Sequence, residues 1–152
     1  MSLFDRRKFY FSKSVDRLYK NFSDGLYNNN LFRHCLSMKV ENVERFKVFL
    51  NSEVIQIKIA TIKLLANNVD DLSFLEGLID DDESVVETII QVLSKKEEYV
   101  ELMAKMLHED SVFLSSIIMH LKKMKREEFL TTLLFSSNDE LVSFVKRIVE
   151  ND

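Results

Sequence analysis

Proline and tryptophan are absent from this 152-residue chain, and glycine occurs only twice, at Gly25 and Gly77. Hairpin turns and Gly-rich phosphate loops need glycine where φ is positive or where backbone approaches a ligand closely. Two glycines exclude a β-rich fold and a GxGxxG loop, and the lack of proline leaves helices uninterrupted. The single Cys35 excludes an intramolecular disulfide and fits a reducing compartment, so a cytoplasmic location is expected. No run of 18 apolar residues exists, so neither a membrane-spanning helix nor a membrane partner is expected. Charged residues break up the apolar stretch of the basic N-terminus, so no signal-peptide core is expected, and Asp5 and Asp16 argue against a transit peptide.

What is present is 46% hydrophobic and 30% charged, an ordinary balance for one domain with a sizeable core. Net charge is −4 but uneven: residues 1–47 carry ten Lys/Arg against five Asp/Glu, and residues 48–152 carry eleven against twenty. Such asymmetry can mark a partner-binding end.

The dominant feature is a repeat. Segments beginning at Ala60, Thr88, Ser116 and Phe144 share one pattern at an interval of 28 residues. Two further anchors keep that interval: Ile57, Val85, Phe113 and Leu141, then Leu50, Leu78, Met106 and Leu134. Each unit divides into two helical patterns with a polar break between them. First helices are expected around Val43 to Leu50, Leu72 to Ile79, Val100 to Leu107 and Phe129 to Leu134. Second helices are expected over Val54–Leu65, Val85–Leu93, Val112–Leu121 and Leu141–Val149. Asp82, Asp110 and Asn138 stand 28 apart as N-caps, and Ser137 and Glu140 have capping-box spacing. Upstream, Phe4, Phe11, Val15, Leu18 and Phe22 give one helix, Ser23-Asp24-Gly25 ends it, and the Asn28–Asn30 run caps another reaching about Ser37. The expected organisation is a single domain over residues 1–152. Residues 1–38 form a degenerate capping repeat and residues 40–152 form four helical hairpins.

The run Asp82, Val85, Ile89, Leu93, repeated as Asp110, Phe113, Ile117, Leu121, resembles HEAT or armadillo-type repeats over about residues 40–152. The basic residue frequent after the first apolar position of that family appears only as Lys58, and the family's common first-helix proline is absent. The resemblance implies a right-handed α-α superhelix of antiparallel helix pairs, a HEAT-like solenoid with a 28-residue period and about nine or ten helices. A compact helical bundle is the alternative. The resemblance also implies that second helices line a concave face. Outward positions in register there are Lys63, Gln91, Met119 and Arg147, a mixture of charge, amide and thioether suited to a protein partner.

No constellation points to catalysis. Asp80-Asp81-Asp82-Glu83 lacks the glycine and alternating ligands of a calcium loop and reads as a helix start. Adjacent His34 and Cys35 point about 100° apart on a helix, and His108 and His120 lack zinc-ligand spacing. GxSxG, HExxH, Walker A and CxxC motifs are absent. The expectation is a non-catalytic protein-interaction scaffold without metal or cofactor. The alternative is a nucleic-acid-binding protein using the basic, aromatic N-terminus. There Arg6, Arg7, Lys8, Lys13 and Arg17 interleave with Phe9, Tyr10 and Phe11, so that cations meet phosphates and rings meet bases. An enzyme of the HEAT-like DNA glycosylase type ranks last.

Overall fold

The computed structural model describes residues 3–79, 81–94, 97–109 and 111–150. Met1, Ser2, Asp80, Lys95, Lys96, Asp110, Asn151 and Asp152, together with the side chains of Phe4, Glu97, Glu98, Tyr99, His108, Glu109 and Ser111, lie outside what is described. Among the described residues the chain is all-helical without a strand. In order come α1 (Leu3–Ser23), α2 (Asn29–Leu36), the 3-10 helix η1 (Val43–Asn51), α3 (Ile55–Asn68), the 3-10 helix η2 (Ser73–Leu78), α4 (Glu83–Ser94), α5 (Glu97–Glu109), α6 (Ser111–Lys123), α7 (Glu127–Leu134) and α8 (Asp139–Glu150).

The second helices α3, α4, α6 and α8 start at Ile55, Glu83, Ser111 and Asp139, at the interval of 28 read from the sequence. Their anchors Ile57, Val85, Phe113 and Leu141 are all buried, as are Thr61, Ile89, Ile117 and Val145 one turn on. Caps explain where helices begin. Asn28 Oδ1 accepts the Leu31 N–H at 3.1 Å, Asp82 Oδ1 the Ser84 N–H at 2.8 Å and Asn138 Oδ1 the Leu141 N–H at 2.9 Å. Each bond satisfies a donor that the first helical turn leaves free. The start of α8 is thus capped at Asn138, one residue after the Ser137 of the expected capping box.

The helices expected around Val43 to Leu50 and Leu72 to Ile79 depart from expectation. Both η1 and η2 are 3-10 helices, not α-helices. Val43, Phe46 and Phe49, like Leu72, Leu75 and Leu78, stand strictly three apart, and all six are buried. With three residues per turn such side chains line up on one face, whereas in an α-helix they drift around it. Three-residue spacing is compatible with this without dictating it, since Val100, Met103 and Met106 keep the same spacing in the α-helix α5. Val48, an apolar residue within the same segment as Val43, points to solvent and is 60% exposed.

The chain forms two compact units, residues 1–73 and 74–152. In the first, α1 packs on α2 and η1, and α3 packs on α2 and η1. Tyr19 and Phe22 of α1 meet Phe46 and Phe49 of η1 edge to face, with ring centroids 5.0–6.0 Å apart. The C-terminus of α3 is tied back by asparagines: Asn68 donates to Leu64 O at 2.8 Å and accepts from Val40 N at 2.7 Å, and Asn67 donates to Leu36 O at 3.2 Å. In the second unit, α5 packs on α6 and α7 on α8, while α6 touches both α4 and α8. Lys122 of α6 donates to Val149 O at 2.8 Å, placing a cation at the negative end of α8.

Helices α1 and α6 end in the same motif. Leu26 N bonds Asn21 O and Gly25 N bonds Phe22 O, while Arg126 N bonds Leu121 O and Lys125 N bonds Lys122 O. The left-handed residue is Gly25 (φ 73°) in one and Lys125 (φ 56°) in the other. Glycine adopts that conformation without steric cost and lysine does not. Lys125→Gly is therefore expected to raise stability by about 0.5–1 kcal/mol in urea unfolding. Phe46→Ala, which empties the centre of the aromatic cluster, is expected to lower it by about 3–5 kcal/mol.

Candidate functional site

The basic N-terminal segment folds as one face-divided helix. At 100° per residue, Phe11, Val15, Leu18 and Phe22 share one side of α1 and are buried. Arg6, Phe9, Tyr10, Lys13, Arg17 and Lys20 fall on the opposite side, all exposed. Phe9 and Tyr10, at 48% and 66% exposure, stay out of the core and meet edge to face at 5.8 Å. Lys13 Nζ lies 4.7 Å from the centroid of the Phe9 ring. The five candidate cations do not form one surface: Arg6, Lys13 and Arg17 belong to the outer side, whereas Arg7 and Lys8 turn toward the flank that meets the α2–η1 connection.

On that flank lies a cleft of about 470 Å³ between the N-terminal half of α1 and residues 38–45. Phe11, Val15 and Met38 supply apolar lining, and Arg7, Lys8, Lys39 and Arg45 supply positive charge against the one carboxylate of Glu41. Two ion pairs span from α1 to the far wall, Lys8–Glu41 at 3.2 Å and Arg45–Asp16 at 2.9 Å. Arg45 is further held against Tyr19 and Phe46, its guanidinium carbon 5.1 and 5.5 Å from the ring centroids. Its buried Nε finds no acceptor among the described residues. Sequence reasoning missed Ser12, Met38, Lys39 and Arg45 as neighbours, because some thirty residues and helix α2 separate the two walls. The nearest signal was the excess of cations over residues 1–47.

The second candidate surface lies on the second helices. Lys63, Gln91, Met119 and Arg147 each stand eight residues after the start of their helix. In the 74–152 unit, Gln91, Met119 and Arg147 are exposed, Met119 to 61%, while Ile90, Val92, Ile118 and Val145 beside them are buried. Lys63, in the other unit, is half-buried. Gln91 also lines a cleft of about 480 Å³ with Ser94, Lys125, Glu128, Phe129 and Thr132. Glu87, one turn before Gln91, pairs with Arg126 from the α6–α7 connection, an ion pair that no sequence pattern announced.

The remaining candidates separate as helix geometry requires. His34 is exposed and meets Phe11 edge to face, whereas Cys35 is fully buried. No family model, curated protein or solved structure matches the chain. No described helix is long and apolar enough to cross a membrane.

Burial pushes the Cys35 thiol up to about 11 from its ordinary 9.0. A thiol raised in the folded state keeps its contribution below the unfolded pKa and loses it as pH climbs from about 9 toward 11. Cys35 is therefore expected to resist a disulfide reagent at pH 8 in native protein and to react promptly in urea. Prompt reaction in the native state would contradict its placement in the core.

Proposed function

We propose that the chain is a non-catalytic interaction module of the HEAT-like, α-α superhelical kind, working in the cytoplasm and binding a partner protein through its second helices. The observation that carries this is the exposed position eight residues into α4, α6 and α8. Gln91, Met119 and Arg147 are turned out of a core that buries their neighbours. A thioether between an amide and a guanidinium offers an adaptable apolar contact with polar flanks, a composition common at protein interfaces. A stack of similar helices spreads such contacts over several repeats and needs no single reactive group. The spacing of helix starts at 28 residues supports the repeat reading.

One observation favours a second reading. The outer side of α1 leaves Phe9 and Tyr10 exposed among Arg6, Lys13, Arg17 and Lys20, where a single-stranded nucleic acid finds rings for its bases and cations for its phosphates.

Affinity capture with and without nuclease separates the two. The protein-partner reading expects a co-purifying protein that survives nuclease and is lost with the double variant Met119→Glu/Arg147→Glu. Both sites are exposed, so stability should stay within about ±0.5 kcal/mol at each. Unchanged capture by that folded variant would remove these residues from the interface. Capture that disappears with nuclease, and with Phe9→Ala and Lys13→Gln, would move the function to α1.

A further inference from the structure

We propose that the cleft between α1 and the α2–η1 connection binds a small anionic amphiphile: one carboxylate or phosphate group carrying an unbranched apolar chain. The site is independent of the second-helix surface and lies on the opposite flank of α1 from Phe9 and Tyr10.

The lining sets the two halves of this ligand. Phe11 and Val15 belong to the hydrophobic core, yet each shows an edge to the cleft, and Met38 stands 42% exposed at its mouth. Methionine is flexible and polarisable, so it conforms to an alkyl chain. A neutral apolar ligand would suit these residues alone. The rim argues for an anion, because four cations face one carboxylate. Lys8 is partnered by Glu41 and Arg45 by Asp16, and these two pairs bridge the walls. Arg7 and Lys39 have no ion-pair partner among the described residues, which leaves two positive charges at the mouth for an incoming headgroup. Guanidinium and ammonium groups donate to carboxylate and phosphate oxygens alike. A volume of about 470 Å³ falls within the range of small-molecule sites.

Stacking on bases does not fit this flank. The exposed rings of α1 are on its other side, and the one ring in the cleft, Phe11, is buried through most of its surface. A headgroup without a tail would leave the Phe11, Val15 and Met38 lining in water.

The test is titration of the full chain with decanoate below its micellar concentration, followed by calorimetry and by amide chemical shifts. Butyrate, inorganic phosphate and decyltrimethylammonium serve as separate arms, with decyl phosphate distinguishing a phosphate from a carboxylate headgroup. The expected result is saturable one-to-one binding of decanoate or decyl phosphate, with shifts confined to residues 7–15 and 38–45. Butyrate, inorganic phosphate and decyltrimethylammonium should each bind at least tenfold more weakly. Arg7→Gln/Lys39→Gln should weaken the favoured ligand about tenfold, as should Met38→Asp. Arg6→Gln/Lys13→Gln on the outer side should leave it unchanged. These positions are exposed, and an unchanged circular dichroism spectrum and melting curve establishes that each variant is folded. Absence of saturable binding overturns the proposal. So does equal affinity for decyltrimethylammonium, unchanged affinity in the folded Arg7/Lys39 or Met38 variants, or displacement of the same amide shifts by a single-stranded oligonucleotide alone.

Discussion

A helix that is apolar around most of its circumference cannot stand against water, and α3 and α4 are such helices. α3 buries Ile57, Ala60, Thr61, Ile62, Leu64 and Leu65, and α4 buries Val85, Val86, Thr88, Ile89, Ile90, Val92 and Leu93. Spread over 14 and 12 residues, these side chains occupy more than the single stripe of a surface helix. Each helix therefore requires packed neighbours. The buried hydroxyls follow the same logic, because Thr61 and Thr88 return their protons to the carbonyls of Ile57 and Ser84 at 2.8 and 2.9 Å. Towards the other end the demand falls. α8 buries only Leu141 and Val145 and leaves its remaining face to solvent or half-covered.

The same constraint positions both candidate surfaces. With α3 fixed between its neighbours, Asn67 and Asn68 fasten its end to Leu36 and Val40, which holds the α2–η1 connection in place. That connection is the far wall of the cationic cleft, and the rings of Tyr19, Phe22, Phe46 and Phe49 hold α1 as its near wall. In the 74–152 unit, burial of Ile89, Ile117 and Val145 dictates that the residues two positions on, Gln91, Met119 and Arg147, point outward.

Much of this architecture is legible in the sequence, since period and capping are local. The caps at Asn28, Asp82 and Asn138 and the burial of Ile57, Val85, Phe113 and Leu141 follow from patterns within single segments, and the interval of 28 from their recurrence. The 3-10 geometry of η1 and η2 was not legible, because their three-residue spacing in Val43-Phe46-Phe49 and Leu72-Leu75-Leu78 occurs equally in the α-helix α5 as Val100-Met103-Met106. The exposure of Phe9 and Tyr10 beside the buried Phe11 follows from helical phase, which composition alone conceals. The cleft was not legible, because Arg7 and Lys8 meet Lys39 and Arg45 only once α2 has reversed the chain. Nor was the Glu87–Arg126 pair, whose members lie 39 residues apart.

The helices α3, α4, α6 and α8 carry much of the buried core of each unit, and the surfaces on α1 and at the outer positions are supported by that core. Native-state amide hydrogen exchange tests this residue by residue. Amides of Ile62, Leu64, Ile89 and Ile90 are expected to exchange slowest, with an opening free energy equal to that of global unfolding, and residues 6–10 of α1 to open far more readily. Exchange at those four amides as fast as at residues 6–10 would contradict it.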